Sequence, residues 1–293
     1  MCDLFSIKLY NYLKIGKKKQ TSDAKIAYIL RRFSHIKENC INRPVVNTPN
    51  TGPIWVCWWQ GEDNMPILVK QCYKRLLNAA PVDRNVILIT KYNYDKYADI
   101  PDYILRKVEK KIISITHLSD ILRMTLLAKH GGLWIDSTVF IPRDMPDYVF
   151  KHPYFSARAP YSPQYISRCA YTGFLLAATK NAPWITYTRD VLLEYWKKAN
   201  ILIDYVFVDC ILISGFDNIS AMRENISLGI VDTPYLHKLE AIFNEPCNTE
   251  TYDKMMRECS FFKLSFKLKF YENTPDGKLT YYGHWLKLQQ NLN

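Results

Sequence analysis

Residues 116–140 read THLSDILRMTLLAKHGGLWIDSTVF, and the fold turns on this stretch. Leu118, Ile121, Leu122, Thr125 and Leu126 recur at helical spacing, so His117–His130 is expected to be an amphipathic helix. Gly131 and Gly132 follow as a left-handed stop, since glycine takes positive φ at little steric cost. Leu133, Trp134 and Ile135 then read as a short strand delivering Asp136, Ser137 and Thr138 at its end. In open α/β sheets ligands collect outside the carboxyl ends of strands, so Asp136 stands where a ligand is expected.

Upstream, strand and helix patterns alternate. Ile54–Trp59 reads as a strand, Gly61–Asn64 as a loop, and Pro66 opens a helix carrying Leu68, Val69, Cys72 and Leu76. Val86–Thr90 is expected to be a buried strand, 101–111 a helix and Ile112–Ile115 a third strand, which together make βαβ units on a largely parallel sheet. Residues 1–50 form a separate basic, helical extension, in which Thr21, Ser22 and Asp23 cap a helix running to about Asn39; residues 51–293 form the main domain. Downstream, Pro142, Pro146, Pro153, Pro160 and Pro163 mark an irregular region suited to a substrate loop. Tyr171–Thr179 reads as a strand and Trp184–Lys198 as a helix. The apolar run 201–214 contains Asp204 and Asp209, which are costly to bury unless they cap, pair or bind metal. Short elements from Phe261 to Phe270 and a turn at Pro275, Asp276 and Gly277 close the chain.

A chain of 293 residues with 48% hydrophobic content can bury a large core, and its 21 tyrosines and 7 tryptophans suit sugar or base stacking as well as plain packing. The net charge of +11 points to anionic partners: nucleic acid, phosphorylated small molecules or an acidic membrane face. Part of the excess lies in patches at Lys14, Lys17, Lys18 and Lys19 and at Lys263, Lys267 and Lys269. Eight cysteines without a CxxC pair read as reduced thiols, and no apolar window is long enough to span a membrane, so a cytoplasmic protein is expected. There is no GxGxxG after a first strand, no P-loop, no GxSxG and no HExxH; the six histidines read as surface or helix-end residues. What remains is a carboxylate site suited to a hard divalent ion bridging phosphates. Asp120 and Arg123 share one helical face, as a local ion pair or as the wall of a crevice facing Asp136.

The segments HLSDILR (117–123) and GGLWIDST (131–138) resemble the SDxLR and GGxWxDxD pattern of the DXD-containing sugar transferases of glycosyltransferase family 32, especially their bacterial capsular polysaccharide synthesis branch. The resemblance extends to IWVCWWQG (54–61), to Ile203, Asp204 and Tyr205 with Asp209, and to FKLSFK (262–267). It implies a GT-A fold, a Rossmann-like, mixed but mostly parallel sheet flanked by helices. It further implies transfer of a sugar, with retention, from a nucleotide-sugar donor such as a UDP-sugar to a lipid-linked or growing surface polysaccharide, aided by Mn²⁺ or Mg²⁺. Trp58 would stack on the donor base, with Gln60 and Ser119 in the same donor site. Asp120 and Arg123 would bind the donor sugar and Asp136 the ribose or the metal, and Asp209 would join these three in the catalytic set. Thr138 departs from the pattern, standing where the second DXD acid belongs. Three options follow: Thr138 and water serve the metal, Asp204 or Asp209 supplies the missing charge, or basic residues replace the metal. The basic patches would suit peripheral contact with the acidic inner membrane face. Two other classes stand beside this one: a non-catalytic donor-binding or scaffold member of the family, suggested by Thr138, and a nucleic-acid binder, suggested by the charge but lacking any recognised motif.

Overall fold

A computed structural model of the chain describes residues 18–41, 43, 48–158, 165–218 and 233–291. Three apolar runs form the centre of its main sheet: β1 (Ile54–Cys57), β2 (Val86–Ile89) and β3 (Gly132–Ile135). β1 pairs in parallel with both neighbours, which sets Trp55 opposite Ile87 on one side and Trp134 on the other. β6 (Leu175–Ala178) runs antiparallel to β3, and β5 (Tyr154–Ser156) antiparallel to β6. The order is β2-β1-β3-β6-β5, so β6 alone opposes the direction of the other strands. This is the mixed, mostly parallel sheet that the alternating pattern predicts. A separate ladder pairs β4 (Val139–Phe140) with β7 (Phe262–Lys263).

Side chains alternate across the strands, so the sheet divides two cores. On one face Trp55, Trp134, Leu176 and Ala178 pack against α5 (Ile115–His130), α7 (Pro183–Lys198) and α8 (Phe207–Asn218). That core also takes in Tyr28, Ile29 and Phe33 beside α1 (Lys18–Arg32), and Ile36 and Cys40 of α2 (Ser34–Ile41). On the other face Ile54, Val56, Leu133, Ile135 and Ala177 meet α3 (Ile67–Ala79) and α6 (Tyr148–Lys151). A third cluster joins Leu68 and Cys72 of α3 and Phe140 to the C-terminal segments, including α10 (Thr249–Glu258) and α11 (Tyr281–Asn291).

Three expectations are corrected. α1 begins at Lys18, so Thr21, Ser22 and Asp23 lie within the helix and do not cap it. Ile112–Ile115 is not a strand: the Ser114 hydroxyl accepts the His117 N–H at 3.1 Å, capping α5, while Lys111 turns the chain at φ 56° after α4 (Asp102–Glu109). Cap chemistry overrides the β-branched composition of those residues. The proline-marked region is also more ordered than expected, since it contains α6 and the edge strand β5; Pro160 and Pro163 lie outside the described residues.

The entry to β1 is fixed by close backbone contact. Asn50 is buried, with its Oδ1 accepting the N–H of Gly52 and of Gly132 at 3.0 and 3.1 Å and its Nδ2 donating to the Gly132 carbonyl at 2.9 Å. Gly132 has φ 103°, and a Cβ there would stand 2.1 Å from the Pro53 carbonyl oxygen. The Gly132→Ala substitution should therefore cost on the order of 3 kcal/mol, from backbone strain and clash together. Gly277→Ala shares a positive φ of 82° but meets no atom within 4 Å, so it should cost only about 1 kcal/mol. Chemical denaturation of both variants checks the difference; equal losses would remove the packing argument.

Candidate functional site

Asp120 and Arg123 lie one turn apart on the buried side of α5. The Arg123 guanidinium bridges two carboxylates, with Nη1 3.0 Å from Asp120 Oδ1 and Nη2 3.1 Å from Asp136 Oδ1. It also lies over the Trp134 ring, 5.1 Å from the centroid, while the Trp134 indole N–H donates to Asp136 Oδ1 at 2.9 Å. Behind Asp120, the Trp196 indole donates to His117 Nε2 at 2.9 Å. That bond leaves the imidazole proton on Nδ1, which faces Asp120 Oδ2 at 3.4 Å. His117 lies at the helix end, as expected, but it is buried and not on the surface.

On the open side, Lys263 donates to Asp136 Oδ2 at 3.0 Å and to the Thr138 hydroxyl at 2.6 Å. The β4–β7 ladder sets this contact by placing Lys263 opposite Val139, with the Leu264 N–H bonded to the Thr138 carbonyl at 3.0 Å. Burial alone would raise the Asp136 pKa, but Lys263, Arg123 and the Trp134 N–H together pull it down to about 2. Asp209 behaves oppositely: burial and the nearby Asp120 charge push it up to about 6 against the opposing pull of Arg123. Burial works to lower the pKa of Arg123, but Asp136, Asp120 and Asp209 outweigh it and raise it.

Asp136 opens into a cleft of about 550 Å³ at the carboxyl ends of β1 and β3, walled by Trp58, Gln60, Ser119, Lys263 and Lys267 among others. Asp120 and Arg123 lie behind Asp136 and do not form its wall. Trp58 is anchored there, its indole N–H donating to the Asn64 carbonyl at 3.2 Å and its ring meeting Phe266 edge-on at 5.2 Å. A second cavity of about 530 Å³ is walled by Tyr165, Tyr171, Phe174, Tyr235 and Asp209, and shares His237 with the first. Asp209 and Arg123 both border Gly173: a Cβ there would lie 3.4 Å from Arg123 Nη1 and 3.8 Å from Asp209 Oδ1.

The structure therefore brings Trp58, Gln60, Ser119, Asp120, Arg123, Asp136 and Thr138 to one region and sets Asp209 against its rear. Asp204 is not part of it, being paired with Lys25 of α1. Lys263, expected in a surface patch, is the residue that sequence reasoning missed. Its only advance signal was its place in the 262–267 segment. Lys14 and Lys17 lie outside the described residues. The described cysteines are free thiols, and burial with the Asp136 charge pushes Cys57, on the cleft wall, up to about 12. No helix among the described residues is long and apolar enough to cross a membrane.

A divalent ion takes about six oxygen ligands, with at least one carboxylate free to bind it. Here Asp136 accepts Arg123 and Trp134 on one oxygen and Lys263 on the other, and Lys263 also occupies the Thr138 hydroxyl. Among the described residues no group of three or more His, Cys, Asp or Glu side chains could hold a metal. These residues do not fit the Mn²⁺ or Mg²⁺ expected at Asp136 and Thr138.

The open sheet, with an ion-paired carboxylate and an aromatic-walled cleft at its carboxyl edge, defines the class: an α/β protein with a ligand-type crevice at its strand ends. The sequence matches the family described as "Capsular polysaccharide synthesis protein" over residues 6–285, and the chain belongs to that family. It is similar to the solved structure named "PaToxG Glycosyltransferase" at 14% identity, with a TM-score of 0.41, over 71% of this chain and 82% of that one. No curated protein sequence matches the chain.

Removing Arg123 would leave the buried Asp120 without its strong partner. The Arg123→Met substitution should cost about 3–5 kcal/mol. Arg123→Lys should recover only part, because an ammonium lacks the fork that reaches both carboxylates. The folded-state pKa of Asp136 is depressed from 3.8 to about 2, so its pairs stabilise the fold above about pH 4 and that stability is lost as pH falls toward 2. Denaturant titrations from pH 2 to 6 check both points; in Asp136→Asn the acid-side slope should flatten.

Proposed function

We propose that this protein is a glycosyltransferase that moves a sugar from a nucleoside-diphosphate donor to a glycan or lipid-linked glycan acceptor in surface polysaccharide synthesis. Membership of the capsular polysaccharide synthesis family supports the process. The observation that carries the chemistry is the ion-paired chain Asp120–Arg123–Asp136, which ends in a cleft walled by an anchored tryptophan. In this reading the donor base stacks on Trp58, with Gln60 and Ser119 beside the nucleoside, and Asp136 meets the ribose. Asp120 and Arg123 underlie the donor sugar.

The second cavity suits the acceptor, since aromatic faces such as Tyr165 and Tyr235 pack well against sugar rings. In the transfer the bond from sugar C1 to the diphosphate oxygen breaks and its electron pair stays on the diphosphate. The acceptor hydroxyl oxygen bonds to C1 on the same face that the diphosphate leaves, which retains the configuration, and its proton passes to Asp209. A carboxylate with its pKa near 6 is suited to that task at neutral pH.

A panel of UDP-, GDP- and ADP-sugars, scored for binding and for slow donor hydrolysis, tests the reading; no binding by any of them would overturn it. Trp58→Ala should weaken the best nucleotide by about 1–3 kcal/mol, the usual worth of one base–aromatic stack. Below about pH 6 Asp209 is protonated and cannot accept the proton, so kcat/KM for transfer should fall as pH drops through that value. A pH profile of Asp209→Asn should lack that limb and lie far below the wild type at neutral pH.

A further inference from the structure

We propose that Lys263 holds the donor's diphosphate directly and takes the place that a divalent cation would otherwise fill beside Asp136 and Thr138. This rests on the donor reading above and says what meets the phosphates. An ammonium offers three N–H donors. In Lys263 two of them go to Asp136 Oδ2 and Thr138 Oγ1, at 3.0 and 2.6 Å, and the third is left for a ligand oxygen in the cleft that this side chain lines. The side chain is 22% exposed, so the ammonium is accessible without being fully solvated. It also stands 5.1 Å from the centre of the Phe174 ring, whose face favours a cation there.

Backbone pairing holds this cation in place. Lys263 lies in a ladder with β4, which begins one residue after Thr138, so ammonium and carboxylate keep their register whether or not a ligand is present. The charge balance agrees. Asp136 is matched by Lys263, and Asp120 by Arg123, with a neutral hydroxyl at Thr138. A dication set among these groups would face an ammonium and a guanidinium, with both Asp136 oxygens already accepting hydrogen bonds. Lys267 extends positive charge along the same wall, and Glu240, which faces the cleft from α9 (Lys238–Ala241), has its pKa raised by burial against the pull of Lys263. His237, also on the wall, is held toward its neutral form by burial and by Lys263. An anionic phosphate therefore meets the Lys263 and Lys267 cations on this wall.

The test is calorimetry on the full chain with UDP, GDP and ADP, each with EDTA and again with Mn²⁺. The best nucleoside diphosphate should bind the wild type equally under both conditions. Lys263→Met should weaken it by about 10- to 100-fold, the usual loss for a charge-assisted hydrogen bond, while the matching nucleoside, followed by ligand-detected NMR, binds as before. The double variant Thr138→Asp with Lys263→Ala should regain diphosphate affinity only when Mn²⁺ is added. Binding of a diphosphate to the wild type only with Mn²⁺ would overturn the role of Lys263 and leave the donor reading standing. Unchanged affinity in Lys263→Met would do the same. If no nucleoside diphosphate binds the wild type under either condition, both readings fall. The wild-type comparison needs no variant, so it decides the matter even if Lys263→Met does not fold.

Discussion

One buried guanidinium ties the site to the fold. Arg123 comes from the middle of α5 and pairs with Asp136 at the exit of the adjoining β3, while Asp209 of α8, distant in sequence, adds its charge to the same surroundings. Desolvating such a group costs several kcal/mol, which only well-placed carboxylates offset. The offset works in both directions. Lys263 and Arg123, with the Trp134 N–H, hold Asp136 down to about 2, while burial and the Asp120 charge push Asp209 up to about 6 against the pull of Arg123.

The second constraint is steric. Gly131 and Gly132 let α5 stop and β3 start without a spacer, and the Asn50 side chain clamps the approach to β1 against Gly132. The Trp55 indole donates to the Gly131 carbonyl at 2.9 Å, so the turn is held from the neighbouring strand as well. These contacts fix where β1 and β3 end relative to α5, and so fix the distance from Trp58 to Asp136 across the cleft.

Much of this was legible in the sequence, for a local reason. The stripe of α5, the glycine stop, the apolar run of β3 and the carboxylate after it are all encoded within neighbouring residues, as is the three-residue spacing of Asp120 and Arg123. What was not legible depends on pairing at long range. Nothing near Lys263 in sequence says that β7 will pair with β4, and without that ladder it reads as one member of a basic patch. Likewise, a three-residue edge strand such as β5 is defined by the partner it finds in β6 and not by its own pattern. Ile112–Ile115 misleads in the other sense, since its isoleucines favour a strand while Ser114 supplies a helix cap. The folded positions of Asp204 and Asp209, five residues apart in one apolar run, were equally closed to sequence reasoning: one pairs with Lys25 and the other lies across Gly173 from Arg123.

The balance of charge in the site bears on how a phosphate ligand would be held. A divalent ion recruited from solution brings two charges and must be bound each time, whereas a lysine set by a β-ladder brings one and is always present. The fixed ammonium stabilises an anion less in total, but its position is settled on folding and little ordering is left for the moment of binding. Asp136 then serves to orient the cation as well as to face the ligand, because its second oxygen holds the Lys263 ammonium toward the cleft. That double duty would let a carboxylate so strongly ionised border a phosphate, because Lys263 and Arg123 pair with it locally while Lys267 adds positive charge to the same wall.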